Sequence, residues 1–543
     1  MGAPQTSSPQ TSPEIAAVLT RFAAPVVLAL LSGLALLVPH LLWLLLVTVP
    51  LLLIALWDMV QTKHSLRRNY PLIARIRWIM EDLRPFLRSY IVEGDLEGRP
   101  YSQDERSLVY ARAKGELDEH PFGTELDVYS QEYEWLAHSM APSTHSDNPW
   151  RLRIGNGRCG KPYDAALLNI SAMSFGSLSA NAIRALNKGA KIGNFYHDTG
   201  EGGLSHYHRE HGGDLVWELG SGYFGCRDDD GKFDPARFAE TAQLDQVRMV
   251  EIKLSQGAKP GHGGVLPGPK VSEEIARTRG VPAHQDCVSP AAHSAFSTPI
   301  ELLEWAAQLR ELSGGKPVGA KFCVGQPHEV FALMKAMLET GIRLDFLVVD
   351  GAEGGTGAAP VEFSNRIGMP LREGLILTRN ALVGCGLKGD VKLGASGKVH
   401  SGAGMAFNMA MGADWCNAAR AFMFSLGCVQ SMQCHTDRCP TGIATQSQSR
   451  QRGLVVEDKA ERVARFQSKT LKSFAEMIRA MALDDPWQLR PHHISERLDG
   501  ARADTVDRIY HFVDEGVLLS DPDATQYGRY WKAAQAGSFR VAG

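Results

Sequence analysis

LDFLVVDGAEGGTGAAP, residues 344–360, is the stretch whose reading decides the fold. A short, continuous apolar and β-branched run ends at Asp350-Gly351. Such a run reads as a strand buried on both faces. The glycine-rich tail lies at the strand's C-terminal end, where bare backbone can approach a ligand and offer N–H groups to a phosphate. A helical pattern follows at 371–385. The same unit recurs along the chain. Strand candidates are 166–172, 248–254, 317–324, 344–351, 391–397 and 415–422; helix candidates are 179–192, 270–279, 299–313, 327–340, 371–385 and 402–412. Alternating strands and helices give a parallel sheet. Glycines at strand ends favour the C-terminal face of a (β/α)8 TIM barrel. An open doubly wound sheet would give the same pattern, and chain length favours the barrel.

The 543 residues exceed one ordinary domain and accommodate a large barrel with appendages. A net charge of −3 with no block of like charge argues against a nucleic-acid partner. Nine cysteines, sparse and odd in number, do not form a disulfide framework and suit a reducing compartment.

Outside the barrel the chain has a different character. Residues 1–22 are expected to be disordered, the first fourteen being rich in Ser, Pro, Thr and Gln. No Asp, Glu, Lys or Arg occurs from Phe22 to Trp57. This length can cross a bilayer. The Pro39-His40 break within 23–57 predicts a two-helix membrane hairpin, about 23–38 and 41–57, with one long tilted span or a buried soluble hairpin as alternatives. Lys63, Arg67, Arg68, Arg75 and Arg77 follow, which places that side in the cytoplasm and predicts an inner or cytoplasmic membrane protein with its catalytic domain on the cytoplasmic side. Residues 58–150 read as a connector packing on the barrel. Within it RNYPLIARIRWIMEDLRPFLRSYI (68–91) is an amphipathic helix expected to break at Pro85; lying on the membrane surface is the alternative. Residues 451–543 read as a helical C-terminal extension.

Several motifs carry chemistry. CVQSMQCHTDRC (428–439) brings Cys428, Cys434 and Cys439 close in sequence. Thiolates are the ligands of iron–sulfur clusters, and three of them suit a three-iron cluster or a four-iron cluster with another fourth ligand. SAMSFGS (171–177) puts small residues after a strand. DTGEGGLS (198–205) places Glu201 among glycines. QGAKPGHGGVLPGPK (256–270) carries Lys259 just after a strand, where a fixed cation can hold a carboxylate or an oxyanion. GASGKVHSG (394–402) is another glycine-rich strand end. No dinucleotide fingerprint, serine-hydrolase elbow or HExxH is present. Flavin and iron–sulfur redox chemistry is the reading left.

In this order SAMSFGSLS, TGEGG, IKLSQGAKPGHGGVLPG, SPAAH (289–293), DGAEGGTGAAP, the C-x5-C-x4-C of 428–439 and TGIATQ (441–446) closely resemble the FMN-binding synthase domain of glutamate synthases. The resemblance covers about 150–450. It implies a (β/α)8 barrel over 151–450, bound FMN, a 3Fe-4S cluster on Cys428, Cys434 and Cys439, and reductive amination of 2-oxoglutarate or a related 2-oxo acid with ammonia. It implies Lys259 and Glu201 as catalytic, and Gln256, Lys259 and Arg279 as substrate-binding. Ser171, Ala172, Met173 and Ser174 would cross the flavin face. Lys321 would approach the flavin, and Gly354, Gly355, Thr356, Gly357, Ser396 and Gly397 would lie near its ring or phosphate.

The sequence also departs from that family. His262-Gly-Gly-Val265 stands where EGGQ is usual, and GASG (394–397) where an Asp-Gly-Gly turn is usual. The glutaminase and C-terminal β-helix domains of the long enzymes are not seen. A short membrane-anchored form is therefore expected, with electrons from a ferredoxin, a quinol or a reductase subunit, nitrogen as ammonia or from a separate glutaminase, and membrane lipid as a further partner. The alternatives are a membrane-linked FMN oxidoreductase acting on another amino acid or imine, and a non-catalytic membrane-tethered electron-transfer subunit.

Overall fold

The computed structural model describes residues 13–144, 150–155 and 157–541, with side chains from Arg21 onward. The chain forms two compact units, Met1–Gln103 and Asp104–Gly543. The division falls inside the expected 58–150 connector, so its second half belongs to the barrel unit.

In the second unit a parallel sheet closes into a barrel. Its strands are β1 (Leu168–Ile170), β2 (His197–Asp198), β3 (Leu215–Leu219), β4 (Val247–Lys253), β5 (Val318–Phe322), β6 (Phe346–Asp350), β7 (Lys392–Ser396) and β8 (Trp415–Ala418). Closure is made by β8 on β1, with Cys416 opposite Leu168 and Asn417 opposite Asn169. Every residue of β3 and β5 is buried, as expected for strands enclosed on both faces. Glycine on one strand makes room for a ring on the next. A Cβ on Gly319 would lie 2.4 Å from the Phe346 ring, and one on Gly394 2.5 Å from Trp415.

Each strand feeds a helix on the outside. The helix Ala180–Gly193 starts on Ser179, whose Oγ accepts from the Ala182 N–H, and ends on left-handed Asn194. Pro299–Leu312 starts on a Thr298/Glu301 capping box. Val456–Ala480 packs against Ala180–Gly193 so closely that a Cβ on Gly189 would fall 2.5 Å from Val463.

Some expectations are corrected. The expected strand 415–422 stops at Ala418, and Arg420–Ser425 is a helix, in keeping with the helix-forming ARAFMF sequence. The C-terminal extension is not wholly helical: Ile494–Arg497 pairs with both Ala503–Thr505 and Glu134–Leu136, tying the connector to the C-terminus. The two barrel strands that periodicity did not reveal, β2 and β3, are too short or too mixed for a period-2 signal.

In the first unit α1 (Pro13–Leu37) and α2 (Leu45–Val60) are joined by a 3-10 segment, Pro39–Leu44. They fold back as a hairpin, with Ser32 Oγ donating to Thr48 Oγ1 at 2.9 Å. Residues 1–12 of the expected disordered segment lie outside the described residues. Residues 13–22 are helical, because Pro13 occupies a first-turn position and the apolar sequence runs straight into the hairpin. Pro39–Val60 is long and apolar enough to cross a membrane; Arg21–Leu37 is apolar but shorter. A short helix, α3 (Ser65–Asn69), leads to α4 (Ile73–Leu87). α4 does not break at Pro85. It continues through it and widens beyond it into a π-helical turn, Arg88–Val92.

Candidate active site at the C-terminal mouth of the barrel

The loops that leave the C-terminal ends of the strands converge on a cavity lined by Ser174, Glu201, Lys259, Arg279, Thr356 and Gly357. Ser177, Val265, Lys270, Cys434 and His435 also face it. Residues predicted from the loops after β1, β2, β4 and β6 and from the cysteine loop thus meet in one place.

Glycine allows this convergence at two points. A Cβ on Gly264 would lie 1.9 Å from Glu201 Oε1, and one on Gly257 1.8 Å from the Gly351 carbonyl oxygen. The lysine loop is therefore seated against both the Glu201 carboxylate and the end of β6. The Gly257 N–H donates to Asp350 Oδ2 at 2.7 Å, fixing that seat.

Charge in the cavity is unbalanced. Glu201 pairs with Lys253 at 3.0 Å. Burial alone would raise the Glu201 pKa, but the Lys253, Arg279 and Lys259 cations outweigh it and hold the carboxyl below its ordinary value. The Arg279 guanidinium donates to the Phe175 carbonyl at 3.2 Å and to Ser174 Oγ at 3.4 Å, while its Nε is buried without a partner among the described residues. Lys259 is 2% exposed. Among the described residues no hydrogen bond or ion pair holds its ammonium. Burial lowers its pKa, opposed by Glu201 and assisted by Lys253. A buried cation without a partner is costly unless an anion arrives.

Other predicted residues lie elsewhere. Ser171 Oγ and Ser396 Oγ approach to 3.3 Å at the ends of β1 and β7. Ala172 and Met173 sit beside Ser171, where a Cβ on Gly200 would come 2.8 Å from the Ser174 nitrogen. Gln256 begins the lysine loop outside the cavity lining. Gly354 packs on Gly351, where a Cβ would lie 2.9 Å from its carbonyl oxygen, and Gly355 lies against Arg420, whose Nη2 donates to the Glu353 carbonyl at 2.6 Å; a Cβ on Gly355 would meet that guanidinium at 2.9 Å. Gly397 follows Ser396 in the next loop. Lys321 points into the barrel, paired with Glu218 and with Glu251 at 3.3 Å. Those carboxylates outweigh burial and keep it firmly charged.

The cysteine loop forms the far wall. Cys428, Cys434 and Cys439 are free thiols. Burial would raise the Cys439 pKa, but the Thr441 hydroxyl and the N–H groups of Ala444, Thr441 and Ile443 win, holding it below its ordinary value. Cys428 is pushed up to about 12, first by burial. Lys270 bridges this loop to the first one. Its Nζ donates to the carbonyls of Ser177 at 2.7 Å and Cys434 at 3.3 Å. The Tyr110 hydroxyl donates to the Cys428 carbonyl.

Residues 162–484 match the family described as the conserved region in glutamate synthase. Over 510 residues the chain is 34% identical to the glutamate synthase large subunit-like protein YerD of Bacillus subtilis, covering 86% of this chain and 96% of that protein. The chain belongs to the glutamate synthase family. It is therefore a glutamate-synthase-like oxidoreductase. It is also 33% identical over 322 residues to an archaeal-type glutamate synthase [NADPH] of Thermotoga neapolitana, a match spanning 59% of this chain and 60% of that protein. Among solved structures, a flavocytochrome b2 variant aligns over 81% of this chain and 96% of its own at TM-score 0.43 and 11% identity, too distant to carry an argument.

In this glutamate-synthase-like chain the structure adds residues that motif reading passed over. Lys253 ends β4 and pairs Glu201. Lys270, Arg420 and Tyr110 brace the loops around the cavity. Lys253 was visible in IKLSQ as a charged residue closing a buried strand. Tyr110 lies 318 residues from its partner in sequence, and no local pattern could reveal it.

Proposed function

We propose that the chain catalyses reductive amination of a 2-oxo acid, 2-oxoglutarate or a relative of it, with ammonia and external electrons. The carrying observation is Lys259, 2% exposed and lining the cavity with Arg279, its ammonium held by no hydrogen bond or ion pair among the described residues, with Glu201 already paired to Lys253. This excess of cation suits an anionic substrate.

The residues present fit FMN. The Ser396–Gly397 end of β7 and Arg420 after β8, with Gly355 of the loop after β6 against that arginine, make a phosphate cradle at the loops where TIM barrels place one. The small side chains of Ser171, Ala172 and Ser174 leave a face for the ring. They also fit an iron–sulfur cluster: three free thiols share one loop, and backbone N–H groups aimed at Cys439 favour its thiolate. When bound, FMN would supply hydride and the cluster single-electron transfer from an external donor such as a ferredoxin, a quinol or a reductase subunit.

Lys259 and Arg279 hold the substrate's carboxylate oxygens. Glu201, kept ionised by Lys253, faces the nitrogen end, where it stabilises a cationic imine and takes or returns its proton. Lys270 keeps the cysteine loop in register with the loop after β1. Anaerobic reduction followed by 2-oxoglutarate and ammonium tests the reading: flavin reoxidation supports it, and a flavin left reduced speaks for another substrate. Val265 favours that second possibility. It lines the cavity with an apolar side chain where the family usually has an amide, which leaves one polar anchor fewer for a second carboxylate. Oxidation or reduction of a less polar amino acid or imine is the alternative substrate class.

The α1–α2 hairpin is the proposed anchor in the inner or cytoplasmic membrane. Leu30, Leu37, Leu46 and Leu53 are exposed along it, as a lipid-facing surface requires. The basic residues after it assign the following segment to the cytoplasmic side.

A further inference from the structure

α2 ends in a built elbow. Asp58 is fully buried at its last turn, and its carboxylate accepts from Arg75 Nη2 at 2.7 Å, Arg75 Nε at 2.8 Å and the Leu72 N–H at 3.1 Å. Arg75 lies in the first turn of α4, so this bidentate pair ties α4 to the end of α2. The Arg67 guanidinium stacks 4.3 Å over the Trp78 ring, adding a second tie from α3. α4 is therefore held, not trailing.

The held helix exposes its apolar face. Ile73, Ile76, Met80, Leu83 and Leu87 recur at helical spacing along one stripe, and Ile73 is 62% and Ile76 55% exposed. The stripe continues into the π-helical turn, where Ile91 is 75% exposed. Within this unit no described residue covers it. Arg77 and Arg84, seven residues apart, border the stripe on one edge, Arg77 being paired with Glu81 at 2.9 Å across an exposed, solvent-screened surface. Two observations choose the occupant. The elbow stands where the apolar run ends, and Trp57 and Val60 on the last turn of α2 are exposed at the same end of the hairpin. The arginine edge is complementary to anionic headgroups.

We propose that α4 and its π-helical turn lie in the plane of an anionic bilayer surface, the apolar stripe in the headgroup–acyl boundary and Arg77 and Arg84 on lipid phosphates. This rests on α1–α2 being a membrane hairpin. The chain then has two membrane attachments joined by the Asp58–Arg75 clamp.

The full-length protein is reconstituted in vesicles of phosphatidylcholine with phosphatidylglycerol. A polarity-sensitive fluorescent amino acid replaces exposed Leu83 or, in a separate protein, Leu53 of α2. The expected result is that lipid brominated near the headgroup quenches the Leu83 probe more than lipid brominated deep in the chain, while the Leu53 probe shows the reverse. A Leu83 probe with a water-like spectrum and no quenching, beside a quenched Leu53 probe, overturns the in-plane helix and leaves the hairpin standing. If neither is quenched, the hairpin reading fails and this one with it. In the double variant Arg77→Gln, Arg84→Gln, shallow quenching should fall in vesicles with phosphatidylglycerol and not in neutral ones. An equal signal in both overturns the headgroup contact.

Discussion

Lys259→Met separates the stability and function of one charge. The side chain is 2% exposed. Its ammonium has no hydrogen-bonding partner among the described residues, and burial is the largest influence on its lowered pKa. A buried polar group left unsatisfied costs about 1–3 kcal/mol, more when charged. Methionine keeps the length and removes the charge, so the substrate-free variant should be more stable by about 1–3 kcal/mol. The pH dependence fixes the sign. With its folded pKa below the ordinary 10.5, the wild-type lysine carries its full penalty below the folded value. Stability is regained as pH rises from there toward 10.5, because the unfolded chain binds more protons in that window. The variant should lack this rise. Substrate binding should move the other way. A hydrogen bond to a charged group contributes about 1.5–3 kcal/mol, so the dissociation constant for 2-oxoglutarate should increase roughly ten- to 150-fold. Denaturant titration across pH measures the first effect and flavin absorbance on titration with substrate the second. A less stable variant with unchanged affinity would refute the reasoning.

Gly264→Ala should lower turnover roughly hundredfold with the flavin still bound, because a Cβ 1.9 Å from Glu201 Oε1 must displace that carboxylate; steady-state kinetics with a flavin absorbance spectrum checks this. Cys439→Ala should abolish the iron–sulfur electron paramagnetic resonance signal while leaving stoichiometric flavin. Burial chiefly raises the Glu251 pKa from 4.5 to about 7 despite Lys321, so the folded state binds more protons over that span and wild-type stability should fall as pH rises through it. Glu251→Gln should remove that loss in thermal melts recorded across the same pH range.

Much of the barrel was legible because its strands are rich in apolar and β-branched residues, most plainly at 346–351, where an apolar run ends in glycine. His197–Asp198 has only two strand residues, and Leu215–Leu219 carries Trp217 and Glu218 inside its run, so neither shows a clean period. Pairing with neighbours makes these segments strands. The site was legible where chemistry is local: Lys259, Glu201 and the cysteines announce themselves by loop composition. Lys321 shows the limit. Its strand was correctly read, but the direction of its ammonium depends on Glu218 and Glu251 across the barrel. The C-terminal strands escaped for a similar reason, since Ile494–Arg497 is completed by Glu134–Leu136 more than three hundred residues earlier.

The most direct measurement is stopped-flow absorbance of anaerobically reduced protein mixed with 2-oxo acids and ammonium. Flavin reoxidation in wild type, requiring both substrates and lost in Lys259→Met, is the predicted result. A flavin that stays reduced with every 2-oxo acid, or reoxidises equally well in Lys259→Met, would contradict the proposed reductive amination.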